Sequence, residues 1–266
     1  MRGCEERRPI DTLDPYYRWI YRLFMPYLGR RVLDAGCGRG SFSSILAETA
    51  EYVLAVDADP VHIGVLHERF DSMVRVEVRQ VDLRESLEHL CSGRFDTIAC
   101  LDVLEHLEDD VRVLGNFLDV IQPGGHLLVK VPAGPWLFGS VDVASGHCRR
   151  YSLQPLAEKV QRVGWELVRA RHMNLCGVLP YWWKSRAVKR SGTFAETFRP
   201  WQMWCIRRII PALECIDRIV IPPFGLSVIL VARRPGLGAG LKVDECPRDS
   251  RATLRDPTTA RKDVHG

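Results

Sequence analysis

The sequence has no run of about 18 uncharged apolar residues, the length a membrane-spanning helix needs. Its richest apolar stretch, Trp201 to Ile221, is broken by Arg207, Arg208, Glu214, Asp217 and Arg218. None of its nine cysteines pairs as C-x-x-C or stands at zinc-finger spacing from a histidine. That argues against a secreted disulfide framework and for reduced thiols in a cytoplasmic chain, and no metal is expected. The first residues, MRGCEERRPID, are charged and lead into no apolar segment, so no signal peptide is expected. A large excess of one charge is also missing: the net charge of +4 is too small to argue by itself for nucleic acid. No period of roughly 20–50 residues repeats, which excludes a solenoid. What is present is an ordinary globular composition, 46% hydrophobic and 26% charged over 266 residues. A chain of that length can bury a core without staples.

The apolar spacing predicts strands alternating with helices. Residues 10–28 read as a helix, with Asp14 as cap, Pro15 in the first turn, and Tyr16, Trp19, Ile20, Leu23 and Phe24 at helical spacing. RRVLDA is a short strand running into glycines, and SFSSILAETA a helix that Ser41 can cap. EYVLAVD, VRVEVRQVDL and RFDTIACLD read as three further strands, with the helix VHIGVLHERF after the first of them. DDVRVLGNFLDVIQ is a helix stopped by Pro123-Gly124-Gly125, and HLLVKVPA a fifth strand. This alternation predicts a doubly wound, mostly parallel α/β sheet. Beyond it, GPWLFGSVDVASGHCRRY reads as a long loop, SLQPLAEKVQRVGW as a helix, and ELVRARHMN and GLSVILVARRP as a sixth and a seventh strand.

The strongest pattern is Asp34-Ala35-Gly36-Cys37-Gly38-Arg39-Gly40. A strand delivers the backbone to a turn whose glycines allow positive φ and close approach of a ligand. The next helix presents its free N–H groups to the same place. A dinucleotide fingerprint would read G-x-G-x-x-G. Here the third glycine comes one place early, an acid precedes the turn, and no Tyr-x-x-x-Lys pair exists, which disfavours a nicotinamide oxidoreductase. Three more acids end consecutive strands: Asp57 (followed by Ala58), Asp82 and Asp102. Ligands of open α/β sheets bind outside the carboxyl ends of the strands. Four acids there suit a ribose diol, an exocyclic amine and a cationic centre, although any one of them could simply end a strand or cap a helix.

From Arg30 to about Ala133 the sequence resembles the class I S-adenosylmethionine-dependent methyltransferases. VLDAGCGRG is similar to their first motif, VDAD and VDL to the ends of their second and third strands, FDTIACLDVLEHLEDD to their fourth, and PGGHLLV to their fifth. The resemblance implies a seven-stranded Rossmann-like sheet whose last strand, Leu226 to Arg234, is antiparallel, and S-adenosyl-L-methionine as cofactor. It implies that Gly36 and Gly38 face the methionine part and that Asp34 belongs to the same set. Asp57 and Ala58 would meet the ribose, Asp82 the adenine amine with Leu83 beside the ring, and Asp102 the region of the sulfonium and acceptor. It divides the chain into an N-terminal helix covering the core (1–28), a methyltransferase domain (29–234) with a helical lid or insertion (175–225), and a tail (235–266) whose composition reads as disordered.

The acceptor is bounded mainly by what is missing. The fourth strand ends in Leu-Asp-Val-Leu-Glu-His, without the Asn/Asp-Pro-Pro-aromatic signature of DNA amine methylases. No Pro-Cys nucleophile follows, and no basic stripe interleaves with aromatics, so no DNA partner is expected. The Leu-Glu-His form resembles small-molecule and lipid-quinone methyltransferases. That implies a small-molecule, lipid-like or glycan-linked acceptor, with a protein or RNA acceptor or a catalytically silent cofactor-binding module still open. A hydroxyl acceptor needs a base: His106 suits by its pKa range, with Glu105 and His147 as further candidates. Asp142, Arg150 and Tyr151 read as contacts for an anionic or polyol acceptor, or else as a loop pinned to the core by an Arg–Asp bond and a packed Tyr. In the insertion, Trp201, Trp204, Cys205, Ile209, Ile216 and Ile219 fall largely on one helical side, and Pro211 is expected to kink that helix. With Trp182 and Trp183 beside Lys184 and Arg186, the insertion reads as a lid touching the inner membrane surface. It reads equally as a cap on the core or a dimer contact, so oligomeric state stays open. Tyr16, Tyr17, Trp19 and Tyr21 of the first helix either cover the cofactor site or pack on the sheet.

Overall fold

The computed structural model describes residues 14–90, 95–187, 200–220 and 222–236. Seven strands form one sheet in the order β3-β2-β1-β4-β5-β7-β6. They are β1 (Arg31–Ala35), β2 (Tyr52–Asp57), β3 (Val76–Gln80), β4 (Phe95–Leu101), β5 (Ile121–Pro132), β6 (Glu166–Met173) and β7 (Ser227–Arg233). The first five pair in parallel and β7 runs antiparallel between β5 and β6. The expected doubly wound sheet with an antiparallel last strand is what the chain forms.

Strand side chains alternate between two faces, and each face has its own core. Leu33, Ala35, Leu54, Val56 and Ile98 point to one side. There α4 (Asp110–Val120) buries Val113, Leu114 and Phe117, and α6 (Leu153–Val163) buries Leu156 and Val160. Val32, Val53, Ala55 and Ala99 point to the other. There α1 (Asp14–Phe24) brings Trp19, Ile20 and Phe24, α2 (Ser41–Leu46) brings Phe42 and Leu46, and α3 (Pro60–Phe70) brings Leu66 and Phe70. A sheet covered on both faces explains why its central strands read as unbroken apolar runs.

Three further helices complete the fold: α5 (Ser140–Ala144), α7 (Val178–Ala187) and α8 (Pro200–Ile219). α8 contributes Ile210 to the second core and continues through Pro211. Its Glu214 pairs with Arg22 of α1. The buried Asp217 caps the turn after β6, accepting from the backbone of Asn174 (2.5 Å) and Leu175 (3.3 Å).

Several local expectations need correction. Gly40, at φ 78°, stands at the cap position of α2 instead of Ser41, because only a left-handed residue turns the loop into the helix. Pro123-Gly124-Gly125 lies inside β5, which begins at Ile121: Gly124 N–H and Arg234 O pair across to the strand's neighbour. The segment 134–151 is not wholly loop, since it holds a 3-10 turn at Pro135–Leu137 and α5. The first helix gives way to a 3-10 turn at Met25–Tyr27, where Pro26 cannot continue an α-helical ladder. The expected tail lies outside the described residues from 237 onward, as do residues 1–13 and most of the link between α7 and α8.

Candidate active site

The strand order reverses between β1 and β4, and that switch point is where ligands of such sheets bind. The glycine loop leaves β1 there. Gly36, Gly38 and Gly40 all have positive φ (73°, 56° and 78°), and the amides of Gly36 and Cys37 both donate to Val56 O at 2.9 Å. The three glycines have different neighbours. A Cβ at Gly36 would meet Val103 at 2.4 Å and one at Gly40 would meet Leu66 at 2.6 Å, while one at Gly38 would touch nothing within 4 Å. Gly38 therefore faces open space at the end of the sheet, a cradle suited to a ligand approaching the backbone.

Asp57, at the end of β2, stands beside that space. Its Oδ2 accepts the Gly38 amide at 2.8 Å, and its Oδ1 accepts the Asp59 amide at 2.9 Å with His62 Nδ1 at 3.2 Å. Ala58 follows and is exposed, its carbonyl taking Gln80 Nε2. Leu83 is buried, and Asn116 holds its carbonyl. This donor and acceptor set fits a nucleoside with a cationic amino-acid chain: a carboxylate at the end of β2, an apolar edge and an open glycine.

Two predicted cofactor acids have partners within the chain. Asp34 is 2% exposed and accepts Ser43 Oγ at 2.6 Å, so it fastens α2 to β1 rather than presenting a free carboxylate. Burial, helped by nearby Asp57, raises its pKa to about 7. Asp82 is held by the Arg84 guanidinium and amide at 2.6–3.0 Å, which keeps it below the ordinary carboxylate range.

Asp102, just after β4, adopts φ +54°, a conformation that Asp tolerates better than most residues. Lys130 holds it there, with the Asp102 amide donating to Lys130 O at 2.8 Å and Lys130 Nζ meeting both carboxylate oxygens at 2.5–2.6 Å. Burial works against the Lys130 ammonium, but Asp102 and Tyr16 hold its pKa above the ordinary range. Its Nζ lies 5.4 Å from the centre of the Tyr16 ring. Burial, with Asp102 next in weight, pushes the Tyr17 hydroxyl to about 12. Of the two readings of α1, packing on the sheet is what Trp19, Ile20 and Phe24 do, while Tyr16 stands beside Lys130.

The candidate bases come together. Glu105, His106 and His147 each offer a ligand atom within 4.8 Å of the others, and the two imidazole rings meet edge to face at 4.8 Å. His147 Nδ1 lies 2.9 Å from Asp142 Oδ1, and His106 Nδ1 lies 3.2 Å from Gly146 O. Both acceptors fix the proton on Nδ1, leaving both Nε2 lone pairs for a proton or a cation. Burial, then neighbouring His147, lowers the His106 pKa. Glu105 is fully buried with neither carboxylate oxygen hydrogen-bonded, and burial beside Asp102 holds its pKa well above the ordinary value. No metal was expected from cysteine–histidine spacing, yet this trio could hold a divalent cation. Glu105 and His106 are adjacent, but His147 lies 41 positions beyond His106, which is why spacing did not show the trio.

The predicted acceptor contacts are a correction. Asp142, Arg150 and Tyr151 are 0%, 7% and 5% exposed. Asp142 accepts from Arg150 Nε (2.8 Å), Tyr181 Oη (2.9 Å) and the Gly139 amide (3.0 Å) as well as facing His147. Burial alone would raise its pKa, but His147 and Arg150 hold it below the usual value. Arg150 also donates to Ala133 O, and Tyr151 to Leu104 O and Asp110. The loop is pinned to the core by an Arg–Asp bond and a packed Tyr, the other reading of these residues. Lys130 went unnoticed in the sequence, and Tyr181 stood only with Trp182 and Trp183 among the aromatics of the insertion, not as a partner of Asp142. A lone lysine inside the apolar run HLLVKVPA was the available signal for the first; nothing local marked the second.

Residues 13–175, more than half the chain, match the family model described as "Methyltransferase domain". The ubiquinone biosynthesis O-methyltransferase of Acinetobacter baumannii (strain ACICU) is 30% identical over 125 residues, covering 46% of this chain and 52% of that protein. The enzyme of the same name from Marinobacter nauticus is 35% identical over 130 residues, covering 47% and 53%. The chain thus spans about half the length of these curated relatives. Among solved structures, an S-adenosylmethionine-dependent methyltransferase from Archaeoglobus fulgidus superposes with a TM-score of 0.56 at 19% identity, covering 85% of this chain and 94% of that one. The [4+2]-cyclase SpnF gives 0.57 at 20%, covering 84% and 82%. At these identities the structural likeness shows the Rossmann-like fold alone, and a cyclase sharing it is a reminder that the site decides the chemistry.

Proposed function

This chain belongs to the methyltransferase-domain family of S-adenosylmethionine-dependent enzymes, and on that premise we propose that it methylates a hydroxyl of a small, lipid-like acceptor. The observation that carries the proposal is His147, its Nδ1 held by buried Asp142 and its Nε2 left as an acceptor next to His106 and Glu105. When bound, S-adenosylmethionine supplies an electrophilic methyl group on a cationic sulfur. Gly36 and the open face of Gly38 would take its methionine part, Asp57 the ribose hydroxyls, and Asp82 with Leu83 the adenine side. Asp102, fixed by Lys130, places a carboxylate where positive charge is to be met. His147 takes the acceptor hydroxyl's proton at Nε2, and Asp142 stabilises the imidazolium that forms. Holding the acceptor oxygen in line for transfer supplies much of the rest of the rate.

A second reading of the same trio is favoured by the two unpartnered, buried oxygens of Glu105. A divalent cation bound by Glu105, His106 and His147 would lower the acceptor hydroxyl's pKa directly. Loss of activity to a chelator, with restoration by a divalent metal, would favour it over the purely basic role.

Relatives named for O-methylation in ubiquinone biosynthesis make a quinone-type lipid with a free hydroxyl the first acceptor to test. The same reading makes this a cytoplasmic protein that meets its acceptor at the inner membrane surface, with segment 175–225 beside it. Among the described residues no helix is long and apolar enough to cross a membrane. The test uses methyl-labelled cofactor with a total lipid extract and with an aqueous extract. Label entering the organic phase, and a His147→Gln variant slowed by about 10²–10⁴-fold in kcat with cofactor Kd unchanged, is the expected result. Label in the aqueous phase alone overturns the lipid acceptor, and no label with any extract leaves a silent binding module.

A further inference from the structure

The outward face of α8 is apolar, which a helix covering a soluble core normally avoids. At roughly 100° per residue, Trp204, Ala212, Cys215, Ile216 and Ile219 fall opposite Ile210 and Asp217, the residues that α8 buries, with Arg208 as the one charged residue among them. Trp204 is 59% exposed, Ile209 50% and Ile219 78%. α7, at the same end of the sheet, exposes Leu179 (76%) and Trp183 (70%). Its inner side is fastened over the site, with Tyr181 on Asp142 and the Ser185 carbonyl taking Ser140.

The charge on α8 is one-sided. Its two acids are used inward, Glu214 on Arg22 and Asp217 on the turn after β6. Its arginines, Arg207, Arg208 and Arg218, are exposed. Arg208 lies 5.0 Å over the Trp204 ring, and on α7 Arg186 lies 4.9 Å over Trp182. Exposed aliphatic side chains and tryptophan with Arg207 and Arg218 along one flank and Arg208 among them are the composition of an interfacial helix. A second copy docked face to face would bring together two arginine-bearing faces whose α8 acids are already engaged within each chain, whereas anionic lipid supplies the opposite charge.

We infer that the exposed faces of α7 and α8 dock on a bilayer surface bearing anionic headgroups, with Trp204, Ile209 and Ile219 entering the acyl boundary and Arg207, Arg208 and Arg218 meeting phosphates. This deepens the lipid-acceptor reading by naming the surface that would bring the site to its acceptor, and each can fail without the other. The test is co-sedimentation of the full chain with phosphatidylcholine vesicles, with and without phosphatidylglycerol. The expected result is binding at least about tenfold tighter with the anionic lipid, weakened by salt. An Arg207→Gln/Arg208→Gln/Arg218→Gln variant should lose about fivefold per arginine, roughly a hundredfold in all. Ile219→Asp should weaken binding to both vesicle types while Tm holds. No sedimentation with either vesicle, or variants that sediment like the parent, overturns the inference. So does a dimer in light scattering that Ile219→Asp dissociates, since a second copy then covers the face. Methyl transfer to a detergent-dispersed acceptor, measured without vesicles, reports separately on the lipid-acceptor reading.

Discussion

Replacing each of two glycines of the loop by alanine separates folding from ligand binding. Gly36 and Gly38 both sit at positive φ, 73° and 56°, so alanine at either costs about 1–2 kcal/mol of backbone strain. At Gly38 nothing is added to that cost, because the new methyl meets no atom within 4 Å. At Gly36 the methyl would lie 2.4 Å from a Val103 side-chain carbon, well inside contact distance. Relieving such a clash in a packed site costs about 1–3 kcal/mol more. Gly36→Ala should therefore lose about 2–5 kcal/mol and Gly38→Ala about 1–2. For a domain of this size each kcal/mol is worth about 2–4 °C in Tm. Cofactor affinity should move the other way: Gly38→Ala should weaken S-adenosylmethionine by more than about tenfold despite its milder fold defect. Scanning calorimetry gives the stabilities, and titration calorimetry at a temperature where both variants are folded gives the affinities. Adding Val103→Ala to Gly36→Ala should recover part of the lost Tm. Unchanged cofactor affinity in Gly38→Ala would refute the cradle, and no recovery in the double variant would refute the steric account.

Three more predictions follow from the same geometry. Asp34 is buried with its pKa raised from an ordinary 3.8 to about 7. Folding therefore takes up a proton between those values, and this residue's contribution falls as pH rises, by up to about 1.4 kcal/mol per unit. Asp34→Asn should remove that component, seen as a smaller loss of Tm on going from acid to pH 8. Arg150→Met takes the guanidinium from buried Asp142 and should cost about 3–5 kcal/mol, whereas Tyr181→Phe, which removes one hydrogen bond, should cost about 1–2. Asp57→Ala should weaken cofactor binding by more than about tenfold, and unchanged affinity would remove the ribose assignment.

The parts of the fold that were legible are those written in contiguous residues. The glycine loop is a strand, a turn and a helix in one stretch, so apolar period, glycine placement and the preceding acid all fall within a dozen residues. Asp57 was legible for the same reason: it ends a strand whose neighbour carries the loop. What local pattern could not give was burial. Arg150 and Tyr151 carry donors that serve a ligand or the chain's own carboxylates equally well. Only the folded chain shows their partners, Asp142 and the Ala133 carbonyl for Arg150, and the Leu104 carbonyl and Asp110 for Tyr151. Asp34 went the same way, since a strand-end acid reads alike whether it faces solvent or a serine on the next helix.

The trio of Glu105, His106 and His147 shows why a site can be half visible. Residues 105 and 106 follow β4, while 147 follows β5 and α5, and the two segments meet because β4 and β5 are neighbours in the sheet. The backbone joins them there, with Cys148 N–H donating to Glu105 O at 2.7 Å. Once that pairing is known, Asp142 acquires a purpose that its own sequence context hides. One helical turn, α5, sets it to hold the proton of His147 on Nδ1, while Gly146 O does the same for His106. Two imidazoles in edge-to-face contact beside a buried carboxyl require several elements to be ordered at once. The residue types alone were enough to nominate bases; the sheet's topology brings them together.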